Sequence, residues 1–324
     1  MKVLVLGAYG NFGARICRGL VGKQNISLLV AGRNADRASA FAAELGSGTQ
    51  GLSMDVNAAD LAQQLRAHQV GLVIHTAGPF QQQDYKVAQA AAQAACHYID
   101  LADGRRFVND FAQTLGPAFE ACGRTAICGA SSVPGLSSAV VEHLCVGWQQ
   151  IGRIDTCIAP AQTASLGVAT LEAVLTYCGA PVKVWLGGKW TYQMGWADPS
   201  KVTFAQIKPR RGAICDIPDL ELFPHYFKVN DRVSFRAALE LPLAQLVFSV
   251  LAKLRIWGLI KRPWRFARLI VRLGRYFDFM GSALGGMVVR VQGKGSDGQA
   301  IGAEWHISAD DNTGPEIPCM AAIL

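Results

Sequence analysis

The 324-residue sequence predicts a doubly wound parallel α/β domain followed by an α+β domain with a mostly antiparallel sheet. Three observations lead there. Short apolar runs alternate with helical patterns as far as Trp148, and a glycine-rich turn follows the first run. Beyond Trp148 the pattern changes to paired strands around Gly, Asn and Asp turns.

The first run, Lys2 to Leu6, is unbroken apolar after its lysine and reads as a buried strand. A helix follows from Phe12 to Val21, a second strand over Ser27–Ala31, and an alanine-rich helix over Ala35–Leu45. Further strands fall at Gly51–Met54, Leu72–His75, His97–Leu101 and Thr125–Cys128. Helices at Tyr85–Ala95 and Phe107–Ala121 lie between them. Strands alternating with helices of this length argue a parallel sheet covered on both faces, and the short connections suit right-handed βαβ units.

A helix over Leu136–Val146 leads to the boundary, giving domains 1–148 and 149–324. In the second domain Pro181–Gln193 reads as two strands around Gly187-Gly188. Phe227–Val229 and Val233–Ala237 flank Asn230-Asp231 as a second hairpin. Val288–Gly293 and Ile301–Ser308 flank Ser296-Asp297-Gly298 as a third. The chain ends with Pro315, Pro318 and the apolar Cys319–Leu324. That end reads either as a helix docked in a core or as a chain cut short, and truncation is the expectation.

Composition excludes several classes. With 51% hydrophobic residues the chain folds rather than staying disordered. Met1-Lys2 leads straight into a strand, so no signal peptide is read. Nine cysteines without a C-x-x-C pair fit reduced thiols in a cytosol and give no metal spacing. The net charge of +7 is local: Leu241–Phe277 holds eight basic residues and no acid, leaving the remainder at −1. The basicity therefore points to no nucleic-acid partner. Leu243–Phe277 is predicted to form a helical arm divided at Pro263. Phe266, Ile270, Leu273 and Phe277 share one face, with Arg265, Arg268, Arg272 and Arg275 on a neighbouring one. Two readings stand: a helix pair packed in the core with solvated arginines, or a peripheral arm on an anionic membrane surface or a partner. Lys253 and Arg255 near the middle of Leu241–Ile260 exclude a transmembrane span.

The first turn reads Gly7-Ala8-Tyr9-Gly10-Asn11-Phe12-Gly13, a G-x-x-G-x-x-G variant of the dinucleotide fingerprint. Gly7 permits the tight turn, Gly10 lets the backbone approach a pyrophosphate, and Gly13 lets helix and strand pack closely. Tyr9, Asn11 and Phe12 stand at the same helix start, whose N–H groups and dipole favour an anion. An NAD site commonly carries an acid at the end of the second strand; here Arg33 stands instead, with Arg37 one turn on. Guanidinium groups there suit a 2′-phosphate, so the expected cofactor is NADP rather than NAD. Asp55 after the third strand either meets the adenine or caps a helix. Ala77-Gly78-Pro79 after the fourth is expected beside the nicotinamide ribose.

With Gly7–Gly13, Ala31-Gly32-Arg33, His75–Phe80 and His97–Asp103, the chain resembles the saccharopine dehydrogenase (reductase) NADP-binding superfamily, in particular its bacterial saccharopine-dehydrogenase-like members. Gly129–Ser138, Gly281-Ser282, Gly285-Gly286-Met287 and Gly314-Pro315 add to the likeness. It implies a Rossmann-type domain, an α/β domain whose sheet closes over the nicotinamide, and a chain that continues further. Departures lie at Gln81-Gln82-Gln83, Cys96 and Ala161–Leu166.

Hydride transfer needs a group that supplies or removes a proton. Asp100 and Asp103 are the candidates, for acid/base work or for a substrate amine; the alternative for each is a helix cap or an ion pair with Arg105 or Arg106. His97 reads as a packed histidine, and Ser131 and Ser132 line a Pro-Gly turn without a His–acid partner. The sequence thus predicts an NADP-dependent oxidoreductase acting on a C–N or C–O bond of a small molecule. Its expected place is the cytoplasm or the inner membrane face, and a homodimer is compatible with it. The alternative is a cofactor-binding sensor or membrane-associated scaffold without robust catalysis.

Overall fold

The computed structural model describes residues 1–164 and 167–324, without the side chains of 169 and 275. Chain contacts divide it into Met1–Gly135 with Pro315–Leu324, and Leu136–Gly314. This division precedes Trp148 because the helix Ser137–Leu144 packs on strands of the second unit.

In the first unit β1 (Lys2–Leu6), α1 (Asn11–Leu20), β2 (Ser27–Gly32), α2 (Ala35–Leu45) and β3 (Gln50–Ser53) alternate. They are followed by α3 (Leu61–Ala67), β4 (Leu72–His75), α4 (Lys86–Gln93), β5 (His97–Asp100), α5 (Arg105–Ala121) and β6 (Ala126–Ile127). The strands form one parallel sheet in the order β3-β2-β1-β4-β5-β6. Leu4 at its centre aligns with Leu29 on one side and Val73 on the other. The winding direction reverses between β1 and β4, which opens a crevice at their carboxyl ends.

Helix α1 buries Ile16, Cys17 and Leu20 against this sheet while Arg18 stays outside. Burial of Ile16 and Leu20 contributes about 1.5–3 kcal/mol each. The end of the chain joins the same core. A 3₁₀ turn over Gly314–Cys319 brings Cys319 and Ala322 into it. Ile323 then packs so closely on Gly19 that a Cβ there would lie 2.7 Å from its Cδ1.

The second unit runs α6 (Ser137–Leu144), β7 (Gln150–Ala159), α7 (Val168–Tyr177), β8 (Pro181–Leu186), β9 (Lys189–Met194), β10 (Ser200–Val202) and β11 (Arg210–Ile214). Then come α8 (Asp219–Tyr226), β12 (Arg232–Leu239), α9 (Pro242–Ile256), α10 (Ala267–Gly274), β13 (Gly285–Lys294) and β14 (Ala300–Ala309). Its sheet has the order β10-β11-β12-β7-β13-β14, with the β8–β9 hairpin joined to β12. All its pairs are antiparallel except β12 with β7.

The hairpins at Gly187-Gly188 and Ser296–Gly298 are present. The one at Asn230-Asp231 is not. Phe227–Val229 is the irregular exit of α8, with Val229 N–H donating to Pro224 O at 3.2 Å, and β12 pairs instead with β7, β8 and β11. The physical reason is local: Asp219 and Glu221 sit in a first turn that favours acids, and Leu220 and Phe223 share the buried face of that helix. In the basic arm α9 ends at Ile256, and Pro263 opens a 3₁₀ turn, Pro263–Phe266, that leads into α10. Residues 165–166 of the Ala161–Leu166 stretch and the side chain of Arg275 lie outside the described residues.

Candidate functional site

The glycine turn sits at the carboxyl end of β1, at the switch point. Gly7 has φ +83°, a conformation that favours glycine, and its N–H donates to Ala31 O at 2.9 Å. A Cβ at Gly7 would also lie 2.9 Å from Thr76 Oγ1. A Cβ at Gly13 would drive into Gly7 O and lie 2.8 Å from Thr76 Oγ1 and 2.9 Å from Ala8 Cα. Gly13 is therefore a packing glycine. Gly10 differs: its φ of −80° suits any residue, and only Gly7 O, at 3.0 Å, stands near its absent Cβ. Its open side faces outward, as an approaching anion requires. Helix α1 begins there with no side-chain cap and no acid in its first turn. Its N-terminal dipole is thus left uncompensated by the side chains of its own first turn.

The flanking residues have divided roles. Phe12, partly buried, packs against the core. Asn11 is held by Arg15, which donates to its Oδ1 at 2.6 Å and its carbonyl at 2.7 Å; Arg15 also pairs with Glu316 at 2.8 Å. Tyr9 reaches across to the end of β2. Its hydroxyl accepts the Asn34 N–H at 3.1 Å, and the Arg37 guanidinium lies 4.5 Å from its ring centroid. Gly32 makes room for that ring, since a Cβ there would lie 2.6 Å from Tyr9 Cε1. Asn34 caps α2 by accepting the Arg37 N–H at 2.8 Å. Arg33 is exposed and makes no ion pair among the described residues. Asp55 caps no helix: its Oδ1 accepts from Asn57 N at 3.0 Å in a turn ahead of α3.

At the ends of β4 and β5 the picture changes. Thr76 bridges to β1, its Oγ1 donating to Leu6 O at 2.8 Å. Ala77 is half-buried, and Gly78 and the cis Pro79 are exposed beside it. His75, just before them, is buried with Nδ1 3.0 Å from Tyr98 Oη, and burial pushes its pKa down to about 4.

Asp100 corrects one expectation. It is 0% exposed, and its Oδ1 accepts from Ala102 N at 3.0 Å and Gly129 N at 2.7 Å. Burial pushes its pKa up, opposed by those two N–H donors. This carboxyl anchors the loops after β5 and β6, and it neither caps a helix nor reaches outward. Asp103 is only half-buried, with Oδ1 accepting from Gln81 Nε2 at 3.0 Å. Burial raises its pKa, and its own N–H and Gln81 oppose the rise. His97 accepts the Thr125 N–H at Nδ1, 3.1 Å, in keeping with a packed histidine.

Sequence reasoning missed several members of this site. Asn34 was open to detection as a capping residue ahead of α2. In the sequence Gln81 and Gln83 stand out only as departures from the family pattern, yet Gln81 holds Asp103 and Gln83 Nε2 donates to Ala77 O at 2.7 Å. Nothing local in the sequence signals either contact. Among the described residues no cluster of His, Cys, Asp and Glu could hold a metal ion.

Residues 3–127 match the family described as the saccharopine dehydrogenase NADP binding domain. Solved structures extend the likeness along the chain. A saccharopine dehydrogenase (L-Glu forming) from Saccharomyces cerevisiae, in its apo form, covers 99% of this chain and 89% of its own at TM-score 0.69 and 12% identity. An engineered D-amino acid dehydrogenase bound to NADP+ covers 99% and 86%, at TM-score 0.51 and 16% identity. A C. glutamicum DAP dehydrogenase in complex with DAP gives the same coverage, score and identity. No curated protein matches the chain by sequence. These likenesses show that the chain shares its overall fold with these dehydrogenases, and the family match lies in its N-terminal part.

Proposed function

We propose that the chain, whose residues 3–127 match the saccharopine dehydrogenase NADP binding domain, is an NADP-dependent oxidoreductase acting on a C–N or C–O bond of a small molecule. The observation that carries the reading is Gly10: an uncrowded glycine at the uncapped start of α1, beside the β1–β4 switch point. The α1 N-terminus and the backbone from Gly7 to Gly13 would hold the pyrophosphate. Arg33 and Arg37 would take the 2′-phosphate, Arg37 kept in place by the Tyr9 ring. The absence of an acid at that strand end favours NADP over NAD. Asp55 would contact the adenine side, and Ala77, Gly78 and Pro79 would border the nicotinamide ribose.

Bound there, the nicotinamide would give or take a hydride. The chain itself must handle the accompanying proton. Asp103 suits that role better than Asp100, because it is partly accessible, its pKa is raised by burial, and Gln81 orients one oxygen. Asp100 would act as a positioning residue for the Asp103 loop.

The test is calorimetric titration with NADPH and NADH, followed by turnover assays on amino acids, imines and carbonyl compounds. Tighter NADPH binding with turnover on one class is expected. NADPH binding without turnover on any class would favour a cofactor-binding sensor, and absence of binding would remove both readings.

A further inference from the structure

Helix α9 carries its polarity inverted for a helix lying on a sheet. The sheet side holds Gln245 and Ser249, 3% and 8% exposed, beside Phe248 and Ala252. Ser249 donates to Trp196 O at 3.1 Å, whereas both amide atoms of Gln245 are buried with no partner among the described residues. The outward side holds Leu243, Leu246, Val247 and Val250, all exposed, at the i, i+3, i+4, i+7 spacing of one helix face. Trp257 and Leu259 continue it, 68% and 70% exposed. Past Pro263 the same segment exposes Phe266, Leu269 and Leu273. A helix face this apolar and this exposed is uncommon on a protein that meets only water.

Charge says what covers it. Lys261, Arg262, Arg265, Arg268 and Arg272 are exposed among these apolar residues, and none makes an ion pair among the described residues. One cation is committed internally, since Arg255 donates to Thr176 O at 2.7 Å and Cys178 O at 2.9 Å, at the end of α7. From Leu241 to Phe277 there is no acid. A second copy docked through the same segment would therefore set cations against cations with no acid of that segment to neutralise them. No helix among the described residues is long and apolar enough to cross a membrane. What remains is a surface that is apolar at one depth and negative just above it.

We propose that residues 242–274 dock the chain on an anionic phospholipid surface. The outward side chains of α9 and Trp257 enter the headgroup–acyl boundary, and the arginines from Arg262 to Arg272 meet the phosphates.

The experiment is flotation of the full chain with phosphatidylcholine vesicles, plain or with roughly a third phosphatidylglycerol, at about 0.05 M and 0.5 M salt. The chain should float with the anionic vesicles at low salt and be released by high salt. Replacing Arg265, Arg268 and Arg272 with Gln should lower the affinity roughly a hundredfold, from about 1 kcal/mol per cation. Leu246→Ser with Trp257→Ser should weaken binding while leaving its salt dependence. All five positions are exposed, and unchanged thermal unfolding checks that the variants fold. A parent chain that stays in solution with anionic vesicles at low salt overturns the proposal. So does an arginine variant that binds as tightly as the parent. Self-association of the parent, abolished by Leu246→Ser and accompanied by no flotation, overturns it in favour of a second copy.

Discussion

Two glycines in one turn make opposite predictions when each acquires a side chain. In Gly13→Ala the new Cβ meets Gly7 O, Thr76 Oγ1 and Ala8 Cα, and two of those three atoms are backbone held by the central sheet. Helix and strand must separate to admit it. Overpacking of this kind costs about 1–3 kcal/mol, more than the gain of up to about 1 kcal/mol expected for Gly→Ala inside a helix. For a unit of this size the loss is a Tm lower by roughly 2–10 °C. In Gly10→Val the backbone, at φ −80° and ψ 176°, already suits a β-branched residue, and the new Cβ meets only Gly7 O, at 3.0 Å. Its Tm should stay within about 3 °C, a change under about 1 kcal/mol. The side chain instead fills the space a pyrophosphate would occupy, so NADPH binding should vanish. Differential scanning calorimetry and NADPH titration read the two effects separately. A folded Gly10→Val protein with parental NADPH affinity would refute the placement of the cofactor, and a Gly13→Ala protein as stable as the parent would refute the packing argument.

Three further outcomes follow from the same structure. Arg33→Asp should weaken NADPH by about 1–3 kcal/mol, the size of a lost charge-assisted contact, and narrow the gap to NADH; equal affinity of the parent for both cofactors would sink that assignment. His75, held down to about 4 by burial, folds neutral, so its stabilisation is complete above about pH 6.5 and is lost as pH falls toward 4. The loss reaches about 3 kcal/mol, and urea unfolding of His75→Gln should show a shallower acid limb; parallel curves would contradict this. Asp219 is the opposite case: burial raises its pKa to about 7, so the fold keeps a proton that the unfolded chain releases. Stability should fall by up to about 4 kcal/mol between pH 4 and 7 and remain low above it; Asp219→Asn should remove that slope, and an unchanged slope in urea melts would count against it.

The parallel sheet was legible because its central strands are short apolar runs, and its turn because three glycines at fixed spacing follow the first run. Asp100 was not. A strand-end acid looks the same in sequence whether it faces a ligand or turns inward onto the N–H groups of Ala102 and Gly129. Gln81 and Gln83 were opaque for the same reason: their partners, Asp103 and Ala77, are set by where two loops meet. The hairpin at Asn230-Asp231 failed because a polar pair between two apolar runs also occurs where a helix hands over to a strand.

Residue type and spacing along the chain are enough for the strands of the first sheet, the glycine turn and the charge of the arm, because each of these is a local property. Packing in three dimensions settles which carboxyl stays accessible, why Gly10 and Gly13 are not equivalent, and which side of α9 looks outward. The last is the plainest case. Spacing shows that Leu243, Leu246 and Val250 share a face, but in most proteins such a face is buried. Only packing against the second sheet reveals that Gln245 and Ser249 were turned inward instead, leaving the leucines for something other than water.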